Sequence, residues 1–256
     1  MKKIFLLVCY LGLAGSAAFA QFSDYGVRLC LGTATIQDDL GTKSPVPALN
    51  VGGYINFELQ HNQTVLAEIF YLQTGLNLIH RGSHFEEVLE NENTMSIRTG
   101  HYKSWYLQLP ILAGIHMELP IRQSGHVVGI VLGPAVNYGL FGSYADRKVS
   151  PGITARRDNY DVAIHGTAEE QQLFNHINRL DISAILGITY ERGPLSIALM
   201  MDHGFLATSK GTDVLRLLDQ QLTDNSTDIN VEIPNGNNHA VMLSLTWRLG
   251  SFKTTN

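Results

Sequence analysis

Cysteine is scarce in this chain, which has only Cys9 and Cys30 among its 256 residues. Cys9 lies in an N-terminal segment with the pattern of a cleaved secretion signal, so we expect a mature chain with Cys30 alone. A disulfide bond within that mature chain cannot form. This excludes the small secreted folds that depend on disulfide bonds.

Long apolar runs are also missing, since no run of 18 or more apolar residues follows residue 20. This excludes a helical membrane protein, but it does not exclude a β-barrel, whose hydropathy signal per segment is weak. The same part of the chain has no phosphate-binding loop, zinc motif or dinucleotide fingerprint. We therefore expect no cofactor and no metal site.

Positive charge is in deficit, with 18 Lys and Arg against 23 Asp and Glu and a net charge of -5. Removal of residues 1–20 takes away Lys2 and Lys3 and leaves a net charge of -7. Nucleic-acid-binding domains are typically basic, because they neutralise phosphates. We expect no nucleic acid among the partners.

The first 20 residues have the three parts of a secretion signal. Lys2 and Lys3 precede an apolar run from Ile4 to Gly15, and the segment 16–20, Ser-Ala-Ala-Phe-Ala, provides an A-x-A cleavage site. A lipoprotein signal that uses Cys9 is the alternative, but only five apolar residues would separate Lys3 from that cysteine. The sequence predicts a signal peptide over 1–20 and one domain over 21–256.

Alternation of apolar and polar residues dominates the rest of the chain, as in β-strands that have one apolar face. It is clearest near the end, where the apolar residues Val241, Leu243 and Leu245 alternate with Met242 and Ser244. In the third segment the parity slips between residues 73 and 75, which predicts a β-bulge. Eight segments show the pattern: 25–36, 47–59, 64–79, 105–116, 128–138, 180–191, 195–202 and 240–249.

The connections between these segments alternate in length. Short ones lie at 61–63, 118–125 and 192–194, and long polar ones lie at 38–45, 81–100, 144–176 and 208–237. Short turns on one rim and long loops on the other are typical of outer-membrane barrels, with the turns in the periplasm. The pattern predicts an all-β fold: an eight-stranded antiparallel transmembrane up-and-down β-barrel with short periplasmic turns and long extracellular loops.

Alternation alone does not say which face meets water, because a soluble lipocalin-like barrel has its apolar side chains inside. The more apolar face here carries bulky aliphatic residues, with Trp105, Tyr190 and Trp247 near strand ends, as in the aromatic girdles of membrane barrels. We therefore expect lipid outside the barrel.

The less apolar face mixes small residues with charges, and we expect it to line the lumen. Because buried charges must be paired, we interpret these charges as ion pairs that fill the lumen, with a proton or ion path as the alternative. The candidate pairs are Arg28 with Glu58 and Glu68, and Arg248 with Asp181 or Asp202. The candidate lumen residues are Arg28, Glu58, Glu68, Asp181, Glu191, Asp202 and Arg248.

Three short motifs support a family resemblance: Tyr-Leu-Gln-Leu-Pro-Ile at 106–111, Gly133-Pro134, and the closing segment 243–249. With them the chain resembles the PorT-like or outer membrane protein beta-barrel domain family of small Gram-negative barrels. The resemblance implies a protein of the cell envelope. As a second possibility, it implies that the protein assists secretion. The tail departs from the pattern, because residues 250–256 follow the last strand, and Phe252 is the candidate terminal aromatic residue.

Asp202, His203 and Ser209 combine an acid, a base and a hydroxyl, as in barrel lipid hydrolases. Neighbouring residues of a strand point to opposite faces, so Asp202 and His203 are not expected to act together. We expect that the protein is not an enzyme and that it has no catalytic residues.

The long loops carry the candidate contact residues, because loops on a rigid scaffold commonly bind partners. A basic group in the third long loop would contact anionic lipopolysaccharide or simply keep the loop soluble. Thr167 opens a short predicted helix through Phe174. The apolar residues between Val214 and Leu222 would cap the barrel mouth or, as the alternative, dock a partner. The candidate loop contacts are Arg147, Lys148, Arg156, Arg157 and Tyr160.

The sequence thus predicts an exported outer-membrane barrel with a structural or surface-interaction role in the cell envelope. Its expected partners are outer-membrane lipid and lipopolysaccharide, and the outer-membrane assembly machinery during biogenesis. The alternatives are a narrow porin-like channel, a secretion-assisting barrel, a lipid-modifying barrel enzyme and a soluble lipocalin-like binder.

Overall fold

The structure is a computed structural model that describes residues 20–37, 42–59, 69–91, 94–120, 125–150, 153–160, 179–206 and 236–251. Of the predicted signal peptide, only Ala20 lies among these residues. The ten strands are β1 Ala20–Gln37, β2 Thr42–Ser44, β3 Val46–Leu59, β4 Phe70–Asn91, β5 Thr94–Glu118, β6 His126–Ser150, β7 Ile153–Tyr160, β8 Leu180–Arg192, β9 Leu195–Gly204 and β10 Asn237–Ser251. None of the described residues belongs to a helix long and apolar enough to cross a membrane.

Eight of these strands close into a ring. The order is β1, β3, β4, β5, β6, β8, β9 and β10, and β10 pairs with β1 again. Every pair in the ring is antiparallel. The prediction of an all-β, eight-stranded antiparallel barrel is therefore confirmed.

The outer surface of the ring is apolar. Leu243 is 59% exposed and Ile188 is 58% exposed, whereas Met242 and Gly187, next to them in sequence, are buried inside. Because a soluble barrel buries its aliphatic residues in the interior, the lipocalin-like alternative is wrong for this chain. The rows of exposed aliphatic side chains match the lipid-facing band of a membrane barrel.

Aromatic residues lie towards both ends of this apolar surface. Tyr190 and Trp247 are exposed near the rim with the short turns, and Phe141 is exposed towards the opposite rim. Trp105 is half-buried, with its ring 4.9 Å from His80 and 6.1 Å from Phe141. This is the arrangement of the interfacial girdles in outer-membrane barrels.

The strands on one side of the ring are longer than the alternation predicts. The predicted loop 81–100 is largely strand, because β4 continues to Asn91 and β5 begins at Thr94. The predicted loop 144–176 begins with the end of β6 and contains β7, and the predicted loop 38–45 contains β2. These segments are held by backbone pairing, and their sequences do not alternate regularly between apolar and polar residues, so alternation does not reveal them.

The predicted bulge at residues 73–75 is also wrong. Leu72, Thr74 and Leu76 point outwards and Gln73 and Asn77 point inwards, with an unbroken register against β3. The polar Thr74 faces outwards, where its hydroxyl donates to the carbonyl oxygen of Pro110 at 2.8 Å, and this outward polar residue made the parity appear to slip. Register shifts occur instead at residues 25/26 between β1 and β10, and at 105/106 between β5 and β6.

The two rims of the barrel differ. At the short-turn rim, β8 and β9 are joined by a tight turn in which Gly193 has φ 61°, a left-handed conformation that favours glycine. Residues 119–125 join β5 to β6 at the same rim. The opposite, long-loop rim carries the projecting ends of β4, β5 and β6.

Candidate functional site

A buried ion pair lies inside the half of the barrel next to the long-loop rim. Arg81 of β4 has a fully buried side chain, and its guanidinium forms a short ion pair with Asp202 of β9. Its Nη1 lies 3.5 Å from Oδ2 of Asp181 on β8. The guanidinium thus joins strands from opposite sides of the ring through the lumen.

Amide side chains extend this ion pair around the lumen. Nε2 of Gln108 donates to Oδ2 of Asp202 at 2.7 Å and to Oδ1 of Asn137 at 2.9 Å. Oε1 of Gln108 accepts from Nδ2 of Asn50 at 3.2 Å and from Nδ2 of Asn77 at 3.3 Å.

We call this set of buried residues the lumen plug, because it reaches across the interior from six of the eight ring strands. Nδ2 of Asn137 completes it by donating to Oγ of Ser183 at 3.0 Å. Each member is at most 4% exposed, so water is almost absent from its surface. The members are Asn50, Asn77, Arg81, Gln108, Asn137, Asp181, Ser183 and Asp202.

Tyrosines close the plug on the side of the long-loop rim. The hydroxyl oxygens of Tyr102 and Tyr106 are 3.0 Å apart, and both side chains are at most 1% exposed. The guanidinium carbon of Arg81 lies 5.9 Å from the centre of the Tyr106 ring, within the range of a cation–π contact. The plug is therefore packed as well as hydrogen-bonded.

A second polar layer lies nearer the short-turn rim. Arg28 of β1 donates a short hydrogen bond to Oε1 of Gln73, and Nε2 of Gln73 donates to Oδ1 of Asn56 at 2.8 Å. The cavity beside Arg28 has a volume of about 30 Å³, which is large enough to hold water. This layer separates the plug from the open end of the barrel.

The open end is a cavity of about 390 Å³ at the short-turn rim, which we call the vestibule. Arg248 donates from Nη2 to Oε2 of Glu191 at 3.2 Å, and its Nε lies 4.0 Å from Oδ2 of Asp24. The Ser23 hydroxyl donates to Oε1 of Glu58 at 2.6 Å. The vestibule is lined by Ser23, Asp24, Asn56, Glu58, Tyr71, His116, Val127, Glu191, Arg248 and Ser251.

The candidate lumen residues fall in three places. Asp181 and Asp202 belong to the lumen plug, and Arg28 belongs to the layer below it. The others among the described residues, Glu58, Glu191 and Arg248, line the vestibule, and Glu68 lies outside the described residues.

The structure pairs these charges differently from the sequence-based pairing. Arg248 contacts Glu191 and Asp24 rather than Asp181 or Asp202. Those two aspartates instead contact Arg81, which the sequence interpretation had assigned to a loop. Arg248 is separated from Asp181 and Asp202 by depth in the lumen, because it lies near the end of β10, at the short-turn rim.

Arg81 is the functional residue that sequence reasoning missed, although a signal for it exists. It follows Asn77 and Ile79 at the spacing of two that keeps all three on one face of β4. Extending the parity of the third segment by two residues would have placed this arginine in the lumen.

The candidate loop contacts lie on strands in the structure. Arg147 and Lys148 are on β6, and Arg156, Arg157 and Tyr160 are on β7. The register puts Arg147 opposite Arg156. The predicted helix at 167–174 and the apolar segment at 214–222 lie outside the described residues.

The pair Asp202 and His203 is divided between the two faces of β9. The Asp202 side chain is buried in the lumen plug, whereas His203 points outwards and contacts Phe205 and His239. Ser209 lies outside the described residues. An acid and a base on opposite sides of the barrel wall do not form a catalytic pair.

Comparison with known proteins gives a family and several similar solved structures. The family model described as "Outer membrane protein beta-barrel domain" matches residues 12–207. No curated protein matches the chain. Among solved structures, the chain is similar to the crystal structure of Ail, the attachment invasion locus protein of Yersinia pestis, in complex with the heparin analogue sucrose octasulfate. The two sequences are 10% identical, and the TM-score is 0.35. The match covers 90% of this chain and 100% of that chain.

Proposed function

Since the chain belongs to the outer membrane protein beta-barrel domain family, we propose that it is a plugged scaffold with a structural or surface-interaction role in the cell envelope. In this proposal the barrel is neither an enzyme nor a wide pore. It anchors a projecting sheet in the outer membrane and presents that sheet at the cell surface.

The lumen plug is the observation that supports this function best. Arg81, Gln108 and Asp202 meet in the middle of the lumen and are at most 2% exposed. An eight-stranded barrel has an interior that is only wide enough for side chains, and here hydrogen-bonded side chains occupy it. A solute would have to displace a buried ion pair to pass.

The projecting sheet supports the surface-interaction part of the proposal. The β4–β5 hairpin continues for ten residues beyond Arg81 to the pair Asn91 and Thr94, a distance of about 33 Å along the strand. β2 adds to the edge of β4 and β7 adds to the edge of β6, which widens the sheet to five strands. In outer-membrane barrels the longer connections face the outside of the cell, where a partner can reach them.

We assign the lipid and lipopolysaccharide contacts to two parts of the barrel. The exposed aliphatic rows face acyl chains. Arg147 and Arg156 occupy opposite register positions beyond the apolar surface, where basic residues can bind anionic sugars and phosphates. The assembly machinery of the outer membrane is the expected partner during biogenesis.

Solute uptake tests the plugged state. Purified barrel in liposomes should give no swelling in small sugars and no stepwise conductance in planar bilayers. Porin-like conductance from the unmodified protein would contradict the proposal and would support the alternative of a narrow channel.

Cysteine labelling of intact cells tests the orientation. Glu86 of the projecting sheet and Arg192 at the short-turn rim are both exposed, and the native Cys30 is buried. A membrane-impermeant maleimide should label the Glu86→Cys variant in intact cells, and the Arg192→Cys variant only after the outer membrane is opened. The reverse pattern would contradict surface presentation.

A PorT-like role in assisting secretion is the second candidate, and the vestibule favours it. A cavity of about 390 Å³ with three carboxylates opens at the short-turn rim, which faces the periplasm in such barrels. Deletion of the gene should then reduce the secreted proteins of the cell. Complementation with Asp24→Asn combined with Glu58→Gln should fail, whereas complementation with Glu86→Gln should succeed.

A further inference from the structure

Two histidines face each other on the outer surface of the barrel. His203 of β9 and His239 of β10 are partners in the strand register. Their sequence neighbours Asp202 and Ala240 are buried in the lumen, so the histidines point outwards. Both residues are half-buried.

The pair lies near the end of the apolar outer surface on the side of the long-loop rim, and the exposed Phe205 lies two residues beyond His203. Met201 and Val241, one outward position closer to the short-turn rim, are 52% and 45% exposed. On the neighbouring β1, the outward-facing residue opposite His239 is the polar Thr35. The histidines therefore lie at the level where lipid gives way to headgroups and water, on the side of the long-loop rim.

The geometry of the pair brings two ligand nitrogens together. Nδ1 of His203 is 2.9 Å from Nδ1 of His239, and the ring centres are 4.1 Å apart. A neutral imidazole has one N–H and one acceptor nitrogen, so one ring donates to the other in the absence of an ion. The edge of the His203 ring packs against Phe205 at 5.1 Å, which restrains its orientation.

We propose that His203 and His239 form a two-nitrogen site for a divalent transition metal ion, with Cu²⁺ and Ni²⁺ preferred over Zn²⁺. Two bonds of about 2.0 Å at a right angle separate the nitrogens by about 2.8 Å, as in square-planar or tetragonal coordination. A tetrahedral Zn²⁺ with bonds of about 2.05 Å requires about 3.3 Å. The hydrogen-bonded nitrogens are 2.9 Å apart, so the first arrangement requires the smaller movement of the rings.

The ion would replace the proton that the two Nδ1 atoms share, and the ring that donated this proton would carry it at Nε2 instead. Both rings would then bind as neutral imidazoles with their N–H at Nε2. Among the described residues, no group of three or more His, Cys, Asp or Glu is placed to hold a metal ion. Two protein ligands leave the remaining coordination positions to water or to donor atoms of another molecule at the membrane surface. The site is therefore one for an exchangeable ion.

Calorimetric titration of the folded barrel tests the site. The mature chain without a histidine tag is refolded in detergent and titrated with CuCl₂ and, separately, NiCl₂. We expect saturable binding of one ion that is lost in His203→Asn and in His239→Asn. The matched control is His80→Asn, which removes another half-buried outward histidine and should keep the binding.

Two further measurements keep the result interpretable. Heat-dependent mobility in electrophoresis identifies variants that are still folded. Electron paramagnetic resonance of the Cu²⁺-loaded native barrel should show coupling to two imidazole nitrogens, and this readout needs no variant. Unchanged titration in a folded His203→Asn or His239→Asn variant, or a spectrum with fewer than two coupled nitrogens, would overturn the proposal.

Discussion

The lumen plug and the vestibule are two halves of one lumen, built on the same eight strands, and they hold charge differently. In the plug, the Arg81 guanidinium faces two carboxylates with almost no exposure to water. In the vestibule, Arg248 has a side chain that is 38% exposed and lies among three carboxylates. Water stabilises the charges of the vestibule, whereas those of the plug depend on one another.

Because of this difference, we expect the plug to determine the stability of the barrel and the vestibule to determine what it binds. Removal of one plug residue leaves other polar groups buried without partners, and such groups cost free energy. Removal of one vestibule residue leaves its neighbours to water. We therefore expect substitutions in the plug to lower the free energy of unfolding, and substitutions in the vestibule to change the binding surface with little loss of stability.

Among the substitutions considered, Arg81→Met should lower the free energy of unfolding most. It leaves Asp181 and Asp202 buried beside each other without their cation, and loss of one member of a buried ion pair costs about 3–5 kcal/mol. Urea unfolding in lipid vesicles, followed by tryptophan fluorescence, should show that decrease in the free energy of unfolding. Combination with Asp181→Asn and Asp202→Asn should recover part of it, because the uncompensated charges are removed. An unchanged free energy of unfolding in Arg81→Met alone would show that the plug does not stabilise the barrel.

The importance of Arg81 also marks the limit of what the sequence alone predicts. Eight strands, their inward and outward faces and the lumen positions of Asp181 and Asp202 follow from alternation, because lipid on one side imposes an apolar face. The end of a strand beyond the lipid carries no such signal. Arg81 lies just past the last apolar residues of its segment and was therefore assigned to a loop.

Pairing in the lumen is the other part that alternation does not reveal. Alternation places Arg28, Asp202 and Arg248 on the inward face. Their depths in the lumen, however, depend on the register between strands that are distant in the chain. The ring brings Arg81 to Asp202, 121 residues away, and keeps Arg248 at the opposite end. The polar Gln108 and Asn137 were visible on inward positions, yet only the register shows that Gln108 bonds four partners.

Gln108→Met should have the second largest effect. The substitution keeps the volume but removes the hydrogen bonds to Asp202 and Asn137 and the acceptor for Asn50 and Asn77. Each buried polar group without a partner costs about 1–3 kcal/mol, so we expect a loss of about 2–3 kcal/mol after relaxation.

Asn56→Leu is the control for that loss, because Asn56 lines the vestibule and hydrogen-bonds Asp24 and Gln73. Asn56 is half-buried, and it lines the vestibule together with Asp24, so water can replace part of these hydrogen bonds. The same urea unfolding measurement should therefore give a smaller decrease than Gln108→Met. Equal losses for the two variants would show that the plug and the vestibule do not differ in the way proposed here.

Gly114→Val tests the boundary between the two halves through packing alone. A Cβ at Gly114 would lie 2.2 Å from Cζ of Tyr71, whose ring lines the vestibule. The ring must move, and such overpacking typically costs about 1–3 kcal/mol. Gly53→Ala is the control, because its Cβ would meet no atom closer than 3.6 Å. Thermal unfolding should separate the two variants; equal midpoints would argue against a packed boundary at Tyr71.

Arg248→Met should have the smallest effect on stability, and its dependence on salt distinguishes it from Arg81→Met. Its contacts with Glu191 and Asp24 are 3.2 Å and 4.0 Å long and partly exposed, and partly exposed pairs of this length contribute about 0–1 kcal/mol. At about 1 M salt the Debye length falls to about 3 Å, so the small loss should vanish in urea titrations, since the native pair is then screened. The loss in Arg81→Met should persist at the same salt concentration, because ions do not enter the plug. If both losses shrink together, the plug is open to solvent, and the contrast between the halves of the lumen is wrong.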